Sequence, residues 1–380
     1  MCGDAHMEIL ILSCGTGGGH NAAGRAGAEE LERRGHTVTC LDPFQLVGRH
    51  TAGLVGGAYI QLVQRSPRLF GMVYALGQAY RRLPIHSPVY WLNGKLANSL
   101  GAYLAAHPAD ALVMPHIYPG QTVAWMKKTG APLPPTFLVT TDYTCIPFAE
   151  ETGCDYVVIP SPELEDEFSG RGIPRECLHP LGIPVSAGFR RPPERAEARR
   201  RLDLPQNGTC ILLSGGSIGV GKLGKAVGTL TGWLARHPEA QLTVVCGSNR
   251  KLYQKLTEKY GQLPQLRILE STTHMADYLA ACDVFVSKPG GLSSTEAAAS
   301  RTPLIHIAPI PGCESRNADF FHSRGMSLFV KNPGRELPRA LDHLLDPAAQ
   351  QEMRSAQARY VDPLSAVKIC DLIEAAPLRQ

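Results

Sequence analysis

Apolar residues come in short blocks along this chain, and the blocks are separated by stretches with helical spacing. EILILS, HTVTCLD, ALVMP, TFLVTT and DYVVIP fill the first half; CILLSGG, QLTVVCG, LRILE, DVFVSK and PLIHIAP fill the second. Runs of this length bounded by turn formers suit strands buried on both faces, and their alternation with helices such as Asn21 to Arg34 predicts parallel sheets wrapped by helices. Between Pro184 and Gly208 the text changes to PVSAGFRRPPERAEARRRLDLPQNG, after which a strand and a glycine loop begin afresh. The pattern predicts an α/β chain of two Rossmann-like domains facing a central cleft. The first spans 7–185, a linker spans 186–208, and the second spans 209–380, with the option that its last helix packs back on the first domain.

Length agrees with two cores: 380 residues at 44% hydrophobic content exceed one ordinary domain. A net charge of +4 gives no argument for nucleic acid. The eleven cysteines form no C-x-x-C pair, and Cys40, Cys246 and Cys282 sit in or beside apolar runs, as buried thiols of a reducing compartment do. Disulfides and structural zinc are not expected. MCGDAHMEIL lacks the character of a secretory leader, and no stretch of 18 apolar residues suggests a spanning helix.

One segment changes the charge picture. From Pro43 to Ala109 there is no Asp or Glu, while Arg65, Arg68, Arg81 and Arg82 lie among Phe70, Tyr74 and Tyr80. Two readings stand: a helical insertion packed on the first sheet, or a surface that meets an anionic membrane through basic attraction and aromatic insertion.

Candidate chemistry concentrates in glycine-rich turns. CGTGGGHNAAG, Cys14 to Gly24, follows the first strand and leads into a helix, which suits a polar or anionic ligand. Gly17 to Ala22 fits G-x-G-x-x-A, with Asp42 at the distance of a ribose-binding acid, so a dinucleotide site and a sugar-transfer site both remain open. LLSGGSIGVGKLGKA places Leu223 where a P-loop needs Ser or Thr, which argues against an NTPase and leaves Gly215-Gly216-Ser217 as a diphosphate-binding turn. In DVFVSKPGGLSSTEAAAS, Glu296 lies early in a helix where it can bind ribose hydroxyls; Ser293 with Glu296 also reads as a capping box.

Together, Cys14 to Gly24, Ser214 to Ser217, Lys288 to Glu296 and Pro309 to Ala318 resemble the MurG-like glycosyltransferases of two-domain GT-B architecture. The chain is most similar to their branch of monogalactosyldiacylglycerol synthases and processive diacylglycerol glucosyltransferases. PGG-x4-E followed by P-x-PG-x-E-x2-NA carries the resemblance.

The resemblance implies an inverting transfer of a hexose from a UDP-sugar to a membrane lipid, most of all diacylglycerol, giving a β-glycosyl glycolipid without cofactor or metal. It also implies a cytoplasmic enzyme held peripherally at the inner face of the membrane. For the donor it implies Gly215, Gly216 and Ser217 along the diphosphate and His274 and Met275 at uracil. The Gly290–Gly291 turn and Glu296 meet the nucleotide, and Glu314 and Asn317 the hexose or nearby groups. For the acceptor it implies Gly18, Gly19 and His20 facing acceptor and leaving diphosphate, with His116 and Asp142 at strand ends on the same side. An inverting transfer needs one base, for which Asp142 and His20 are the candidates by position: Asp142 taking the proton and His20 orienting acceptor or phosphate. Two positions depart from the family pattern. Cys313 replaces the usual Gln, and Ser186 stands where relatives carry a basic residue that Arg190 or Lys222 could replace. A transferase acting on a polyprenyl-linked sugar, a UDP-sugar epimerase and a non-catalytic nucleotide-sugar sensor are the alternatives.

Overall fold

The computed structural model describes residues 6–15, 18–48, 67–80, 90, 94, 96–219 and 222–377, with backbone alone at 67–70, 73 and 78. The chain divides into two units, Met1–Ser186 with Leu364–Gln380, and Ala187–Pro363.

The first unit holds β1 (Glu8–Leu12), β2 (Thr37–Leu41), β3 (Ala111–Met114), β4 (Thr136–Val139), β5 (Tyr156–Val158) and β6 (Leu178–His179), all parallel in the order β2-β1-β3-β4-β5-β6. Every residue of β3 and β4 is buried, which the continuous apolar runs require of strands covered on both faces. Alternate residues of the strands, Ile9, Ile11, Val113, Phe137 and Val139, share one face with Ala28 and Leu31 of the Gly18–Arg33 helix. Ile369, Cys370 and Ile373 of the Ser365–Ala375 helix complete that core, so the C-terminal helix is part of this unit. Arg34 fastens it, with Nη1 at 2.7 Å from both Asp371 Oδ1 and Glu374 Oε2.

The second unit holds β7 (Cys210–Ser214), β8 (Gln241–Val245), β9 (Leu266–Leu269), β10 (Val284–Ser287), β11 (Leu304–Ile307) and β12 (Leu328–Val330), parallel in the order β12-β11-β10-β7-β8-β9. Residues 187–208, expected as linker, instead carry the short helices Ala187–Arg190 and Arg195–Arg201 inside this unit. Arg199 explains the difference. Its buried guanidinium donates to Ala281 O at 3.0 Å, Gln206 O at 2.9 Å and Asp283 Oδ2 at 2.9 Å, so a charge-rich stretch is fixed by hydrogen bonds rather than left as a tether.

Strand order locates the ligand-binding ends. In an open parallel sheet the connections reverse direction at a switch point, and the loops there splay apart at the carboxyl ends of the strands. That point falls between β1 and β3 in the first sheet and between β7 and β10 in the second. The turns singled out by their glycines leave the sheets at these two places.

Candidate active site

In the first unit, Gly18 and Gly19 open the helix that follows β1, and His20 is its third residue. His20 Nδ1 lies 2.9 Å from the Pro115 carbonyl and 2.7 Å from Thr141 Oγ1. A carbonyl oxygen only accepts, so Nδ1 carries the proton and Nε2 keeps its lone pair. The His116 ring stands edge-on to His20 at 4.4 Å between centroids, with the opposite arrangement: its Nδ1 accepts from Tyr118 N at 3.1 Å, capping the Ile117–Lys128 helix and leaving the proton on Nε2. Burial lowers His20 to about 4, against a raising effect of the Pro115 carbonyl, and holds His116 well below its ordinary value, so both rings are neutral at pH 7. His20, His116, Thr141 and Asp142 line one recess of about 10 Å³, the room of a single water. Part-buried Asp142 leaves the sheet just after β4. The structure thus brings together His20, His116 and Asp142, which are far apart in sequence.

Asp42 is occupied otherwise. Its carboxylate accepts from Phe44 N at 3.0 Å and from the amide of Gly15, closing the turn after β2 instead of awaiting a ribose. The dinucleotide reading loses its acid.

In the second unit, the Gly215–Ser217 turn leaves β7, with Gly215 buried and Ser217 exposed. Gly216 takes φ +70°, a left-handed conformation that favours glycine. Its N–H donates to Ser214 Oγ at 3.1 Å, which withdraws one of the amides expected along a diphosphate. Across the switch point, the Gly291–Ala299 helix has Gly290 as its N-cap, and Ser293 Oγ donates to Gly290 O at 3.2 Å. The capping-box reading fails here: the helix starts three residues earlier than the Ser-x-x-Glu pattern suggests, with Gly290 and not Ser293 as its N-cap, and Glu296, part-buried, lies in its second turn. His274 and Met275 stand at the start of the Met275–Ala281 helix, with His274 exposed.

Glu314 and Asn317 lie on the Cys313–Ser323 helix after β11. Glu314 is buried and accepts from Ile310 N at 2.8 Å. Asn317, expected at the hexose or nearby donor groups, lies behind the turn after β10. It is fully buried and donates from Nδ2 to Pro289 O at 3.0 Å, which braces the turn after β10 from behind. Lys288, absent from the residues expected at the site, pairs with Glu314 between these turns. A lysine ending a strand looks like a solvated charge in sequence; the glycines around it were the only signal.

Of the residues expected at a membrane, Arg65, Arg81 and Arg82 lie outside the described residues, and Arg68 and Phe70 are described in backbone alone. The Pro67–Tyr80 helix that carries the others has two contrasting sides. Gly77 faces Pro147 and Phe148, and the part-buried Tyr80 ring meets Phe148 at 6.2 Å, so Tyr80 serves packing. Tyr74 is also part-buried. The exposed stripe is Met72, Ala75, Leu76 and Ala79, with Met72 58% and Leu76 68% exposed. Among the described residues no helix is long and apolar enough to cross a membrane, and no cluster of three His, Cys, Asp or Glu side chains is placed to hold a metal.

Residues 20–185 match the family described as monogalactosyldiacylglycerol (MGDG) synthase, and residues 210–368 match the glycosyltransferase family 28 C-terminal domain. A processive diacylglycerol beta-glucosyltransferase of Staphylococcus saprophyticus is 30% identical over 55% of this chain and 53% of the relative, so that match spans about half the relative's length. The protein of the same name from Bacillus licheniformis is 24% identical over 99% of this chain and 97% of the relative. The crystal structure of Acinetobacter baumannii MurG superposes with a TM-score of 0.61 at 18% identity, covering 97% of this chain and all of that one. The chain belongs to the glycosyltransferases of GT-B fold that join a monogalactosyldiacylglycerol-synthase segment to a family 28 C-terminal domain.

Proposed function

We propose that the chain transfers a hexose from a UDP-sugar to diacylglycerol and inverts the anomeric centre, giving a β-glycosyl glycolipid. The observation that carries the chemistry is His20, a neutral imidazole with its lone pair on Nε2, held by Pro115 O and Thr141 in a recess shared with Asp142. The hydroxyl oxygen of the acceptor attacks the anomeric carbon, the bond from that carbon to the β-phosphate oxygen breaks, UDP leaves with the electron pair, and the hydroxyl proton passes to Nε2. Pro115 O then stabilises the imidazolium through Nδ1–H, and Asp142 offsets its charge. This gives the proton to His20 and the supporting role to Asp142, the reverse of the assignment expected from their positions in the sequence. The second unit supplies the donor residues, with Glu296 at the ribose and the turns after β7 and β10 at the diphosphate. A processive glucosyltransferase as the curated relative fits the acceptor class.

Diacylglycerol stays in its bilayer, so the enzyme comes to it. We assign membrane contact to the exposed Met72–Leu76 side of the Pro67–Tyr80 helix, with Arg65, Arg68, Arg81 and Arg82 as the attraction to an anionic, cytoplasmic leaflet. Incubating the protein with labelled UDP-glucose, UDP-galactose or UDP-GlcNAc and diacylglycerol vesicles tests the whole reading: a labelled glycolipid is expected with one hexose donor. Free sugar alone, an epimerised nucleotide sugar or an unconsumed donor overturns it.

A further inference from the structure

Lys288 ends its strand but does not turn to solvent. Its ammonium pairs with Glu314 Oε1, and the other Glu314 oxygen is held by Ile310 N–H at 2.8 Å; the two side chains are only 14% and 8% exposed. The lysine stem crosses the turn after β7. A Cβ added to Gly216 would lie 2.8 Å from Lys288 Cε and 3.5 Å from Nζ, and one added to Gly290 would lie 3.3 Å from Nζ. The ammonium is therefore lodged between the two glycine turns of the switch point, and glycine at both positions keeps that lodging open. A buried ion pair is poor value as a stabiliser, since apolar residues of similar volume do as well without desolvating two charges. A pair retained between two ligand-binding turns calls for another reason.

The chemistry of the turn supplies one. Gly216 N–H is spent on Ser214 Oγ, so a diphosphate along this turn lacks one backbone amide and gains from another donor beside it. An ammonium has three N–H donors, of which Glu314 Oε1 takes one.

We infer that Lys288 is a donor-contacting residue: fixed by Glu314, its ammonium presents a remaining N–H to the phosphate of a nucleoside diphosphate lying along the Gly215–Ser217 turn. The inference rests on the UDP-sugar reading above and adds a residue to it. Glu314 sets the direction of the ammonium and tempers its charge, so the site binds a diphosphate without trapping the UDP product.

Calorimetric titration of uridine and UDP into the full chain tests this. The double variant Lys288→Gln/Glu314→Gln removes both charges and leaves neither buried alone. It should lose about tenfold or more in UDP affinity, the scale of one charge-assisted hydrogen bond, while uridine affinity stays within about twofold. Glu314→Gln alone removes the competing anion, so UDP should bind at least about threefold tighter than to the parent, again with uridine unchanged. If the double variant keeps the parent preference for UDP over uridine, or Glu314→Gln leaves that preference unchanged or lowers it, the pair is a structural one and the inference fails. A parent chain that binds neither uridine nor UDP overturns the UDP-sugar reading itself, a result distinct from an altered preference.

Discussion

His20 Nδ1 lies 2.9 Å from the Pro115 carbonyl, and this single contact decides which nitrogen of the ring keeps its lone pair. The proton is on Nδ1, so Nε2 is basic, and burial keeps it so down to about pH 4. Turnover should therefore rise through about pH 4 and stay flat across pH 6.5, where an ordinary histidine titrates. His20→Ala should lower turnover at least about 100-fold with UDP affinity within a few fold. Asp142→Asn should cost less, because it removes an electrostatic partner and not the proton acceptor. A larger loss in Asp142→Asn than in His20→Ala reverses the two roles.

Glu296 offers a separate test of the donor side. Because Gly290 caps its helix, loss of the carboxylate removes no capping box. Glu296→Ala should weaken UDP by about 1–3 kcal/mol through the lost hydrogen bonds to ribose. Unchanged UDP affinity with a lowered melting temperature removes Glu296 from the nucleotide.

His306 governs how the second unit meets acid. It lies fully buried on β11, Nε2 2.9 Å from Ser294 Oγ and Nδ1 3.0 Å from Ser327 Oγ, and burial lowers it to about 3, with His322 adding to the effect. The folded value lies below the unfolded one of about 6.5, so the unfolded chain takes up the proton first. The stability this neutral ring allows is full above pH 6.5 and is lost as pH falls from there towards 3, by about 1.4 kcal/mol per unit. Urea unfolding between pH 7 and 4.5 should show that slope. His306→Gln keeps hydrogen-bonding capacity without a titrating ring, and should remove about one proton's worth of it.

Both sheets were legible in the sequence because fully buried parallel strands leave continuous apolar runs such as ALVM and CILLS, and the turns at their switch points carry the glycines. His20, His116 and Asp142 could be named for the same reason, since each follows a strand at its carboxyl end. What escaped was set by single long-range contacts. Arg199 turns an apparent linker into packed helix through bonds to Ala281 O and Asp283, Asn317 is buried by its bond to Pro289 O, and Lys288 is drawn inward by Glu314. Residue type alone marks all three as surface groups. The start of the Gly291–Ala299 helix was misplaced because Ser293 with Glu296 imitates a cap, whereas Gly290 accepts the Ser293 hydroxyl at its carbonyl.

The membrane reading divides into two parts that salt separates. Attraction by Arg65, Arg68, Arg81 and Arg82 is worth about 1 kcal/mol each near an anionic surface and is screened within about 10 Å at 0.1 M salt. Insertion of Met72 and Leu76 follows apolar area, about 1.5–3 kcal/mol for each side chain fully removed from water, and does not fade with salt. The protein should pellet with anionic vesicles at low salt and leave a smaller, salt-resistant fraction at high salt. Met72→Ser/Leu76→Ser should abolish that resistant fraction while sparing UDP binding. Replacing the four arginines by Gln should remove the salt-sensitive part and, with it, most glycolipid formation. Met72 and Leu76 lie on the exposed side of a helix whose other side packs on Pro147 and Phe148, so the first unit should melt as before in the serine variant. Equal pelleting on neutral vesicles, or a serine variant that still resists salt, makes this helix an ordinary packed insertion and leaves the lipid to be met elsewhere.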